Sequence, residues 1–218
     1  MNELKYNFKN EPVSSLIHLI GASLSIIGLI FLIIIGALKG NTVHVVSFTI
    51  FGVGLVLLYL ASTLFHYMDK DTISKKVFER LDHSMIYVLI AATYTPICLV
   101  ALNNIWGYSI FGAVWTLAIV GISLKSSGVL RPGFWSTFLY VIMGWIIVIA
   151  IVPLQKIIPL KSLLWLLVGG IFYTIGAFFY QKDQVGARDK IWGYHETFHV
   201  LVILGSISHY IFIIKYLI

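Results

Sequence analysis

Seven uninterrupted apolar runs, each close to the ~20 residues that a helix needs to cross a ~30 Å hydrocarbon layer, dictate the solvent in which this chain folds. They cover Leu16–Leu38, His44–Phe65, Ser84–Leu102, Gly107–Leu124, Phe134–Val152, Ser162–Tyr180 and Glu196–Leu217. With 59% of its 218 residues hydrophobic and 11% charged, the chain cannot hide that much apolar surface in one soluble core. The runs are continuous rather than alternating and too long for barrel strands, so each is expected to be a helix. The expected fold is an all-α integral membrane protein, a bundle of seven transmembrane helices. The first run is longer than the core of a cleavable signal, and no small-residue cleavage site stands clearly after it, so it is expected to remain in the mature chain.

The net charge of +6 does not point to nucleic acid, because the basic residues sit in short loops between the runs rather than along one helical face. They report topology instead. Lys5, Lys9, Lys70, Lys75, Lys76, Arg80, Lys125, Arg131, Lys182, Arg188 and Lys190 fall on one side, eleven against the four of Lys39, Lys156, Lys161 and Lys215 on the other. The positive-inside rule then puts the N-terminus in the cytoplasm and the C-terminus outside the cell membrane. No linker, short repeat or low-complexity tract divides the chain, so residues 1–15 are expected to be a short cytoplasmic segment and residues 16–218 one membrane domain. The longest loop, His66–His83, is charged with both signs and reads as a solvated connection with a short interfacial helix around Ser74–Arg80.

Glycines within the runs, among them Gly52, Gly54, Gly169, Gly170 and Gly176, permit close helix approach where lipid gives no hydrophobic driving force. Pro96 should kink the third helix and free a carbonyl that Thr93 or Thr95 helps to satisfy. The single cysteine, Cys98, excludes an intrachain disulfide and any cysteine-rich metal site, and reads as an ordinary buried small residue.

Applied to the polar residues, the alternating topology brings five of them to one interface. Ser62 and His66 in S-T-L-F-H end the second run, Asp82 in R-L-D-H stands at the entry of the third, and His195 and His199 in H-E-T-F-H open the seventh. Residues four apart share a helix face, so Ser62 can meet His66, and His195 can meet His199. Three neutral imidazoles suit Zn²⁺ and leave a fourth tetrahedral position for water, the open arrangement of a catalytic site. Asp82 then orients or deprotonates that water, and Ser62 hydrogen-bonds the water or a substrate oxygen. Singly, each residue has a blander reading, an interfacial structural histidine or, for Asp82, a helix cap at the positive dipole end. Jointly they favour metal, since ionisable groups at membrane spans are costly.

His83, next to Asp82, points about 100° away, His44 belongs to the outer side, and His209 lies about 15 Å above His199, so none of the three is expected to be a ligand. His18, at the inner end of the first run, is the reserve candidate. H-E-T-F-H also matches the zincin pattern H-E-x-x-H, in which the glutamate is a general base. No acidic residue follows Glu196 and His209 has the wrong spacing for a third ligand, so a protease is disfavoured and Glu196 reads as a helix-start acid with a possible outer role around the metal.

At these residues the chain resembles the hemolysin III family, the bacterial branch of the progestin and adiponectin receptor superfamily. The likeness covers almost the whole chain and rests on S-x-x-x-H at Ser62–His66, on R-L-D-H-S-M-I-Y followed by A-A-T-Y-T-P from Ala91, and on H-x-x-x-H at His195–His199. It implies a seven-helix bundle with N-terminus in and C-terminus out, zinc on His66, His195 and His199, and Asp82 and Ser62 beside the water. The constellation is also similar to that of the alkaline ceramidases, which implies hydrolysis of a lipid amide or ester and a place in membrane lipid homeostasis. Two other functions are consistent with the sequence: a receptor or membrane-state sensor whose zinc is structural, and a cytolysin. The polar residues cluster on one side instead of lining a full path, which does not suit a pore.

Overall fold

The computed structural model describes residues 10–69, 72–183 and 192–218. Seven helices within them are long and apolar enough to cross a membrane: α1 Pro12–Lys39, α2 Thr42–Tyr67, α3 Ile73–Ala101, α4 Ile105–Ser126, α5 Phe134–Gln155, α6 Leu160–Asp183 and α7 Tyr194–Tyr216. No strand interrupts them among the described residues. Five of the expected topology markers, Lys5, Lys9, Lys70, Arg188 and Lys190, lie outside the described residues, as do residues 1–9 of the expected N-terminal segment.

Local chemistry fixes where the helices begin. The Asn41 side-chain oxygen accepts from the backbone N–H of Val43 and His44 at 2.9 and 3.3 Å, and the His44 ring reaches back to Asn41. That occupies His44 as a capping residue of α2. Thr72 caps α3 by accepting from the Lys75 N–H at 3.2 Å, and Asn104 caps α4 by accepting from Trp106 at 2.9 Å. At α7, Glu196 reaches back to the Gly193 N–H at 2.8 Å.

Two boundaries differ from expectation. Pro12, pre-organised for a first helical turn, starts α1 four residues before Leu16, so Pro12–Ser15 belong to the first helix and not to an N-terminal segment. Thr72 starts α3 early, so the helix expected around Ser74–Arg80 is the first part of α3 itself. Asp82 therefore stands inside α3, nine residues after Ile73, and is not its cap.

Pro96 ends the regular part of α3. The next turn widens, with Leu102 N–H donating to Ile97 O, five residues back, at 2.9 Å. Thr93 and Thr95 bond the carbonyls of Leu89 and Ala91 at 2.8 and 3.0 Å, each four residues back, rather than the carbonyl opposite the proline ring. Helix α5 breaks in a tightened segment at 146–150, and the Tyr94 hydroxyl fills the break: it reaches the carbonyls of Met143 and Gly144 at 3.1 and 2.7 Å and accepts from Ile147 N–H at 2.9 Å. Cys98 is buried and free within the widened turn.

Helices α1 to α4 pack in sequence order, α6 packs on α7, α5 bridges α3 and α6, and α7 closes back on α1. Tyr59, Tyr87, Phe48, Phe51 and Phe212 are the largest fully buried side chains. Close approach is real at Gly54, where an added Cβ would stand 2.7 Å from the Ala92 Cβ, and at Gly169, where it would run into the His209 ring. The outside is apolar too: Leu24, Ile27, Phe31 and Ile34 run exposed along α1, the reverse of a water-facing helix.

Candidate metal centre

His66 ends α2, while His195 and His199 lie one turn apart on one face of α7. The His66 ring meets the other two edge to face and the His195 and His199 rings are tilted on each other, with centroids 4.8 Å (His66 to His195), 4.7 Å (His66 to His199) and 4.6 Å (His195 to His199) apart. The Nε2 of His195 stands 3.3 Å from that of His66 and 3.0 Å from that of His199. All three side chains are buried, and their ligand atoms lie within 4.8 Å of one another.

The outer nitrogens explain why this convergence suits a cation. His66 Nδ1 lies 2.7 Å from Glu11 Oε2, and His195 Nδ1 lies 3.2 Å from Asp183 Oδ2. An ionised carboxylate only accepts, so each Nδ1 carries the hydrogen, and the Nε2 of each neutral ring presents a lone pair. Two such lone pairs 3.3 Å apart in a buried site repel unless a positive charge sits between them. Tetrahedral Zn²⁺ with nitrogens at 2.0–2.1 Å would separate its ligands by about 3.3 Å. The donor set therefore fits a metal ion, and three imidazoles with no thiolate suit zinc among the common ions.

Ser62 and Asp82 stand on α2 and α3. Both line one cavity of about 230 Å³ with His195 and His199. Ser62 is buried, one turn before His66, and the Asp82 carboxylate lies beside the Ser62 hydroxyl. The cavity continues from this polar end between Tyr94, Ile147, Leu166 and Tyr173 to His209, about 15 Å farther along α7 at helical rise. Apart from the metal-centre end its wall is overwhelmingly apolar.

The other histidines fall outside the cluster. His18 is buried and stacks on His199, centroids 3.8 Å apart and 26° from parallel, a neighbour of the centre and not one of its three converging ligand atoms. His83 pairs through Nε2 with the Tyr180 hydroxyl at 2.9 Å. Glu196 uses one carboxylate oxygen on Gly193 N–H and accepts from the Ser14 hydroxyl with the other at 2.7 Å, so it is occupied as a helix-start acid.

Glu11 and Asp183 were not singled out by the sequence reading. Their signal was level: Glu11 immediately precedes α1 and Asp183 ends α6, which puts both at the end of the bundle where α2 stops and α7 starts. In a chain with nine acidic residues, two at that depth were worth weighing beside Asp82.

Comparison with known proteins places the chain in a family. A family profile described as Haemolysin-III related matches residues 6–210. The chain belongs to the haemolysin-III family. It is 40% identical over 211 residues to the Hemolysin-3 homolog of Bacillus subtilis (strain 168), covering 97% of this chain and 96% of that one. It is also 40% identical over 216 residues to Hemolysin-3 of Bacillus cereus, covering 99% and 95%. A more distant relative, the human monocyte to macrophage differentiation factor, is 27% identical over 178 residues, 77% of this chain and 69% of that one. This haemolysin-III family chain is thus a multi-pass membrane protein with a three-histidine cluster able to hold a metal ion.

Proposed function

We propose that this haemolysin-III family protein is a zinc-dependent hydrolase of a lipid amide or ester, acting in membrane lipid homeostasis at the cell membrane. One observation carries the reading: His195 and His199, two of the three clustered histidines, line a long apolar cavity together with Ser62 and Asp82. An acyl chain suits the apolar length of that cavity and would deliver its carbonyl to the polar end. Zinc held by His66, His195 and His199 would supply Lewis acidity and an acidified water, whose pKa falls toward ~7.

The chain's own residues then divide the work. Ser62 donates to the carbonyl oxygen or orients the water through its hydroxyl. Asp82 accepts one proton from the attacking water and returns it to the leaving nitrogen or oxygen as the carbonyl carbon's bond to that atom breaks. The apolar walls keep bulk water from the reacting carbonyl.

Zinc-loaded protein reconstituted in lipid vesicles, offered separate amide-linked and ester-linked lipids and followed by mass spectrometry, tests this. Free fatty acid should accumulate with wild type and fall at least ~100-fold with Asp82→Ala, a loss typical of a missing acid–base group. A wild type with stoichiometric zinc and no product from either class would sink the hydrolase reading. If that protein also unfolded on chelation, it would support the alternative of a receptor or sensor with structural zinc, which the tie between the ends of α2 and α7 favours.

A further inference from the structure

Two residues at the start of α1, its N-cap Glu11 and His18, touch histidines of the centre, and Ser14 between them touches Glu196, next in sequence to His195. Glu11 holds His66 Nδ1 at 2.7 Å, Ser14 donates to Glu196 Oε1 at 2.7 Å beside His195, and the His18 ring lies flat on His199. Glu11 is itself fixed. Its backbone N–H donates to the His66 carbonyl at 3.0 Å, and Lys75 Nζ stands 3.2 Å from its carboxylate while also donating to Phe65 O at 2.9 Å and sitting over the Phe65 ring. Asp183, from the far side at the end of α6, does for His195 what Glu11 does for His66.

We infer that Glu11 and Asp183 are positioning residues of the centre, each locking its histidine as the Nδ1–H tautomer with Nε2 turned inward. This rests on the metal reading above and adds to it a source for the ligands' geometry. An imidazole linked to a carboxylate is a better donor and is held in one orientation, so removing the carboxylate costs metal affinity while every ligand remains. The charges also belong together: one carboxylate on each of two rings offsets much of a divalent ion's charge in a low-dielectric site.

Two other α1 contacts supply the control. Asn10 Nδ2 donates to Tyr67 O at 3.2 Å and Ser15 Oγ to Thr63 O at 3.1 Å, so both tie α1 to α2 without touching a histidine ring. The experiment measures zinc affinity of the full-length protein in detergent by competition with a chromophoric chelator, alongside the visible spectrum of its cobalt-loaded form. Glu11→Gln and Asp183→Asn should each weaken zinc 10–100-fold and alter the cobalt spectrum, Glu11→Asp should recover part of the affinity, and Asn10→Ala and Ser15→Ala should bind as wild type. Wild-type affinity and spectrum in Glu11→Gln and Asp183→Asn overturn the inference even if their chelated forms melt lower, because the contacts are then structural only. Should one of the two variants fail to fold, the other carries the same comparison. A wild type that binds neither zinc nor cobalt instead takes down the centre itself, and this inference with it.

Discussion

Removing metal and removing His195 should cost the same stabilisation once, not twice. His195 is the choice because its Nε2 stands between the other two, 3.3 Å from His66 and 3.0 Å from His199, so its loss leaves no pair of ligands in that contact. An ion that binds the folded state alone adds about 2.7 kcal/mol at a free concentration 100 times its Kd. For a chain of this length each kcal/mol moves the melting temperature by roughly 2–4 °C, so zinc should raise it by roughly 5–11 °C over the chelated protein. The six tryptophans give an intrinsic fluorescence signal for thermal scans in detergent, with excess zinc and with excess chelator. His195→Ala should show a zinc-dependent shift of no more than about 1 °C, whatever its own baseline. Equal shifts in wild type and variant, or no shift in wild type with no metal found by elemental analysis, would refute the three-histidine centre.

Two further outcomes test the packing around it. Tyr94→Phe removes the hydroxyl that fills the break in α5, leaving the Ile147 N–H and the Gly144 carbonyl without that partner, and should lower stability by about 1–3 kcal/mol in denaturant titration of detergent-solubilised protein. Gly54→Leu drives a branched side chain into a position where even a Cβ would stand 2.7 Å from Ala92, and should cost about 1–3 kcal/mol or abolish folding, read by size-exclusion profile and melting temperature.

How much the sequence discloses depends on how far apart the interacting groups lie. The seven helices were legible because a bilayer imposes length and apolarity on each run separately, and every expected span lies in its own helix, apart from Leu102 and Leu217 at the ends of two of them. The i, i+4 spacing of His195 and His199 and the shared level of His66 were legible for the same reason, as rise and periodicity are local. Boundaries set by one polar atom were not. Thr72 captures the Lys75 N–H and thereby moves the start of α3 back into the expected loop, which changes Asp82 from a helix-entry residue into one within the helix. Least legible were Glu11 and Asp183, since a contact such as Glu11 to His66 joins residues 55 apart in sequence and depends on how α1 leans on α2. No periodicity encodes that lean.

The span of the chain between His66 and His195 also sets a schedule for synthesis. The 129 residues separating them take roughly 6–26 s to translate at 5–20 residues per second. As that interval begins, both members of the Glu11 to His66 pair have been made, while α3 to α6 have still to follow before His195. The other two ligands arrive together, on the first two turns of the last helix. A metal ion held by all three histidines would therefore be loaded late in biogenesis, once α7 has been inserted and has come back against α1.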